Sequence, residues 1–145
     1  MRSLLLLICF LSCLFLVTIS SAADVDKIEN KIIMNMIRSL TDHIQISIYT
    51  DSQRIKKLLT NHQTHFVASC GAANVAILAS KSVKNCNNVP IITLRYELLK
   101  VYPSSVGSFF WQKGRPNIVF IESRLSNQNI TIGAEFNAFV EESIW

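Results

Sequence analysis

The sequence predicts an α/β fold: a sandwich around a mostly parallel sheet, with helices on both faces and a C-terminal β-hairpin. Three observations predict it. Ile44, Ile46 and Ile48 alternate with Gln45, Ser47 and Tyr49, the period of a strand with one wetter face. Val75 to Ala79 is apolar at every position, as a strand covered on both faces must be. Segments with apolar residues at helical spacing lie between such runs, and strands that alternate with helices build parallel sheets.

The elements follow in order. Asp26 and Glu29 have the spacing of a capping box, and Ile28, Ile32, Ile33, Met36, Ile37 and Leu40 form one apolar helical stripe. Thr50-Asp51-Ser52 caps a second helix, whose buried side is Ile55, Leu58 and Leu59. Phe66 to Ser69 is a short strand, Lys81 to Asn88 a polar loop, and Pro90 to Leu94 another strand. Tyr96 to Val101 is a short helix stopped by Pro103. Val106 to Trp111 and Ile118 to Ile121 are hairpin arms around the turn Gln112-Lys113-Gly114-Arg115-Pro116. Gly114 supplies the positive φ of the turn, and Pro116 ends it without needing a backbone donor. Alternation sets Phe109 and Trp111 on one face of the first arm and Phe110 on the other. Ser126 to Asn129 is a loop, and Ile132, Phe136, Phe139 and Val140 form a last amphipathic helix. Val75, Ile77, Phe120 and Phe136 are the expected core.

The N terminus addresses the chain. Arg2, then the uncharged apolar run Leu4 to Ile19, then Ser20-Ser21-Ala22-Ala23, has the three parts of a secretory signal peptide cut after Ala22 or Ala23. A spanning helix needs ~20 apolar residues, more than this run supplies. The expected product is periplasmic or secreted, without a membrane span, and a single domain from residue 23 to 145. Without Arg2 it carries 13 basic and 10 acidic residues, scattered along the chain rather than clustered as nucleic-acid binding requires.

Of four cysteines, Cys70 and Cys86 survive cleavage. An oxidising compartment favours their pairing. The strand after Cys70 carries the chain ~20 Å away, so the following loop must come nearly all the way back to bring the Cα atoms within ~7 Å. An intrachain bond, free thiols and an intermolecular bridge all remain open. His62 and His65 near Cys70 supply too few ligands, in too loose a spacing, for a metal site, and no signature marks Cys70 as a nucleophile. Lys113 and Arg115 at the hairpin tip, with Trp111 beside them, are the candidate partner-binding residues. Asn129-Ile130-Thr131 is a glycosylation sequon, meaningful in a eukaryotic host.

The succession of pieces resembles the YfiR-like periplasmic family. The likeness is carried by Ile44 to Thr50 with its following helix, by Cys70 ahead of Asn74-Val75-Ala76-Ile77-Leu78-Ala79, and by Val89-Pro90-Ile91-Ile92-Thr93-Leu94. Its best piece runs from Val106-Gly107 through the hairpin to Phe120-Ile121-Glu122, then Asn129-Ile130-Thr131-Ile132. The resemblance implies a small Rossmann-like domain onto which no catalytic residue is carried over; no metal or cofactor is expected. It implies an exported regulatory module that binds and restrains a membrane-bound signalling protein, such as a diguanylate cyclase. Its partner would be the periplasmic domain of a membrane sensor or cyclase, or a second copy of the chain. The alternative is a small-ligand domain for a solute or anion, of which one domain supplies a single lobe.

Overall fold

The computed structural model describes residues 22–60 and 63–144. The expected signal run Leu4 to Ile19 lies outside the described residues, as does His62. The chain divides into two compact units, residues 1–32 and 33–145. Helix α1 spans residues 22–40, so Asp26 lies inside it rather than at its cap. In the second unit its stripe holds: Ile33, Met36 and Ile37 are fully buried.

Among the described residues seven strands form one sheet: β1 Ile46–Thr50, β2 Thr64–Phe66, β3 Val75–Leu78, β4 Ile91–Thr93, β5 Ser105–Gln112, β6 Arg115–Ile121 and β7 Val140–Glu141. Their order is β2-β1-β3-β4-β5-β6-β7. Every neighbouring pair is parallel except β5 with β6. The α/β class is as expected, but the hairpin does not end the sheet, because β7 adds a parallel edge. Ile44, expected in β1, is 91% exposed. Pairing starts two residues later, where Ile46 meets Thr64.

Helix α2, Gln53–Leu59, begins where the Ser52 hydroxyl accepts from the Ile55 amide, and it buries Ile55 and Leu59. The other crossovers are tighter than expected. Tyr96–Lys100 is a 3-10 helix whose Leu98 and Leu99 are fully buried. Its larger rise per residue covers the gap between β4 and β5 with few residues. The expected loop Ser126 to Asn129 begins two residues later: Ser126 and Asn127 close helix α3, Glu122–Asn127, which has Glu122 in its first turn and Leu125 buried, while Gln128 and Asn129 form the turn. The expected last helix shrinks to a 3-10 turn, Ala134–Phe139, which buries Phe136 and leaves Phe139 41% exposed.

Val75, Ala76, Ile77 and Leu78 are all fully buried, which explains an apolar run with no alternation. On one face Ala76, Leu78 and Ile91 pack with Leu98, Tyr102, Cys70 and Cys86. Phe120 is fully buried and meets Phe136 edge to face, 5.3 Å between ring centres. Opposite Phe120 stands Gly107, where a Cβ would come within 2.7 Å of the Val119 carbonyl oxygen and 2.8 Å of the Phe120 ring. The strands approach that closely only because residue 107 has no side chain.

Cys70 and Cys86 form a disulfide, with Cα atoms 5.2 Å apart. The polar segment after β3 does double back. It is guided by the Tyr102 hydroxyl, which donates to the Ser80 carbonyl at 2.6 Å and accepts from the Val83 amide at 3.3 Å. Asn85, at φ 63°, adopts the left-handed conformation just before Cys86.

Candidate functional site

The β5–β6 hairpin outgrows the sheet. On one side β5 pairs with β4 only as far as Ser108, opposite Thr93. Residues 109–112 therefore run on without a strand beyond them. On the other side β7 pairs only with Phe120 and Ile121, leaving residues 115–119 of β6 at an edge. The turn is two residues, Lys113 at φ 50° and Gly114 at φ 73°, not the five expected. Both angles fit a type I′ turn, whose twist matches that of the strands. Pro116 lies within β6, opposite Trp111. Gln112 and Arg115 close the turn as a hydrogen-bonded pair, so the next pair along exchanges no bonds, and the missing Pro116 donor faces the open edge.

This register aims the three aromatics. Phe109 is buried and touches Trp111 edge to face at 6.1 Å. Phe110 takes the other face and meets Tyr96 at 5.7 Å. Phe109 thus belongs to the core, while half-buried Trp111 joins the core to the tip. Lys113 and Arg115 are exposed, and among the described residues neither has a carboxylate partner. The ribbon is stiff at its base and cationic at its end.

Open parallel sheets commonly bind ligands at the carboxyl ends of strands where chain order reverses, here between β1 and β3. That crevice is occupied by the chain itself. The Asp51 carboxylate accepts from the Ala79 amide at 2.7 Å, from the Ser80 amide at 2.9 Å and from the Ser80 hydroxyl. Outside this plug is a cavity of about 550 Å³, lined by Tyr49, Gly71, Val83 and Lys84 among others. A second cleft, about 960 Å³, runs along the amino ends of β3, β4 and β5. Asn87, Asn88, Asn127 and Asn129 line it. Cys70 is held in the disulfide and offers no thiolate, and His65 is exposed on β2. Among the described residues no group of three metal-ligating side chains gathers. Asn129 of the sequon is exposed at φ 54°, just past α3.

Sequence reasoning missed Arg124. Its guanidinium donates to the carbonyls of Tyr102 at 3.1 Å, Ser105 at 2.9 Å and Leu99 at 2.9 Å, and to the Ser105 hydroxyl at 2.8 Å. It thus ties α3 to the end of the 3-10 helix and to the start of β5, satisfying carbonyls that a helix end leaves orphaned. Burial pushes it below its ordinary value. No motif spacing marks such a role, because all four acceptors are main-chain or hydroxyl oxygens brought there by the fold. Arg124→Met should lower stability by about 2 kcal/mol, since buried carbonyls lose charged donors. Urea unfolding measures this, and a change within the ordinary surface range of ±0.5 kcal/mol would remove the structural role.

No family model matches the chain, and no curated protein matches it. The disulfide fits a compartment where thiols are oxidised. Among the described residues no helix is long and apolar enough to cross a membrane.

Proposed function

We propose that the protein is an exported, non-enzymatic regulatory module of the periplasm. In this reading it binds and restrains the extracytoplasmic part of a membrane-bound signalling protein, a diguanylate cyclase or related sensor, and the β5–β6 hairpin is its docking element. The observation that carries the reading is the hairpin itself. Its arms run beyond β4 and β7, and its tip presents Lys113 and Arg115, which have no carboxylate partner among the described residues. A ribbon of this kind offers backbone edges, an aromatic base and a charged tip, features that partner-binding loops and strand edges use. The resemblance to YfiR-like proteins supplies the kind of partner.

Replacing Lys113 and Arg115 with Glu should weaken capture of the partner from cross-linked native cells by about tenfold or more, while the melting temperature stays nearly constant. The effect should shrink with added salt, as exposed charges are screened. Undiminished capture at low salt removes the hairpin tip from the interface.

The cleft favours a second reading, a small-solute binding domain. Its asparagines offer paired donors and acceptors to a neutral polar ligand. A thermal-shift screen separates the two, because a bound solute raises the melting temperature without any partner.

A further inference from the structure

The lysines and arginines that look scattered in sequence are sorted by the topology. β1, β3, β4 and β5 are parallel, so their carboxyl ends share one edge of the sheet. Lys81 and Lys84 leave that edge on the loop after β3, and Lys113 and Arg115 lead it at the end of β5. All four are exposed, and among the described residues none has a carboxylate partner. Acidic groups at the same edge are already engaged: Asp51 is bound by the Ala79 and Ser80 amides, and Glu97 faces Arg95 at 3.4 Å. β6 and β7 run the other way, which places Glu122, Glu141 and Glu142 at the opposite edge, where Asp42 precedes β1. The second unit therefore carries exposed cations at its carboxyl edge, whereas at the amino edge these acidic groups lie alongside Lys100 and the carbonyl-bound Arg124.

We propose that the carboxyl edge, led by the hairpin tip, docks on the anionic phospholipid surface of a membrane. The inference rests on the reading that the protein works beside a membrane-bound partner, and adds a lipid contact to it. Three features select phospholipid over an acidic protein patch. Three of the four cations are lysines, point charges on flexible stems that suit mobile phosphates, whereas carboxylates are better met by the guanidinium fork. They sit on a loop and a hairpin tip two strands apart, roughly 10 Å sideways, and the tip also reaches forward by the four residues 109–112, about 13 Å at ~3.3 Å per residue, so they spread over a surface rather than converging on one group. Trp111 lies beside the tip, half-buried and amphipathic, the side chain enriched at the headgroup level of membranes. Juxtaposed lysines near an anionic leaflet add their attractions, and salt screens them.

The test is co-sedimentation of protein purified after export with vesicles of phosphatidylcholine alone or with about one-third phosphatidylglycerol, a proportion set to give an anionic surface. Binding to the anionic vesicles only, released at high salt, is the expected result. K81E/K84E and K113E/R115E should each weaken it severalfold, and the quadruple variant at least tenfold, with unchanged melting temperatures. Equal binding to neutral vesicles, or binding that the quadruple variant retains, overturns the proposal. So does absence of binding to anionic vesicles at low salt. If partner capture still depends on Lys113 and Arg115 in that last case, the edge meets acidic protein instead. The vesicles carry no protein, so this result and the partner-capture result fail independently.

Discussion

Phe120→Ala should cost about 3–5 kcal/mol, the range for removing a buried aromatic where the site cannot collapse. Phe120 is fully buried and central to the hairpin. Its ring packs edge to face on Phe136, a geometry that adds to simple burial. Its cross-strand neighbour is Gly107, which has no side chain to lean into the void. On that side the β5–β6 ladder fixes the spacing through its hydrogen bonds, so relaxation there is small. For a domain of this size that is a large part of total stability. Phe139→Ala is the control: Phe139 is 41% exposed and should cost less than about 1 kcal/mol. Urea midpoints at unchanged slope measure both. Equal losses for the two would mean that β6 and the following 3-10 turn are wrongly placed.

Removing the disulfide should be the next largest loss. Cys70 and Cys86 are separated by 16 positions, and closing a loop of that size stabilises by ~3 kcal/mol in the chain-entropy account. Both sulfurs are buried with Ala76, Leu78, Ile91, Leu98 and Tyr102, so the bond also anchors the irregular segment after β3 to the core. The double Cys→Ala variant should melt lower by on the order of 10 °C. Alkylation of the unreduced native protein, read by mass spectrometry, should label neither Cys70 nor Cys86. Two labelled thiols in freshly exported material would end the disulfide and the anchoring with it.

The legible part of this protein was what local periodicity writes into a chain. Strands β1, β3, β4 and the hairpin arms announce themselves by alternation or by unbroken apolar runs, and Val75, Ile77, Phe120 and Phe136 are buried as their positions require. The hairpin tip was legible too, since Gly114 among polar residues marks a turn, although its two-residue length depends on Lys113 taking a positive φ. Short elements were not legible. The Tyr96–Lys100 and Ala134–Phe139 turns are 3-10 because the distance to be bridged, not the residues, sets the rise. Ser126 and Asn127 read as loop, yet Leu125 and Arg124, anchored elsewhere in the fold, hold them in α3.

The sequence by itself determined the α/β class, the core strands, the hairpin and the two cysteines available for pairing. Only the tertiary structure decided that those cysteines meet, that Asp51 fills the crevice between β1 and β3, and that Arg124 joins three segments. It alone brought Lys81, Lys84, Lys113 and Arg115 to one edge. The physical reason is the same in each case. Side-chain periodicity is a property of neighbours along the chain, whereas these contacts are set by strand order and direction, which bring together residues far apart in sequence.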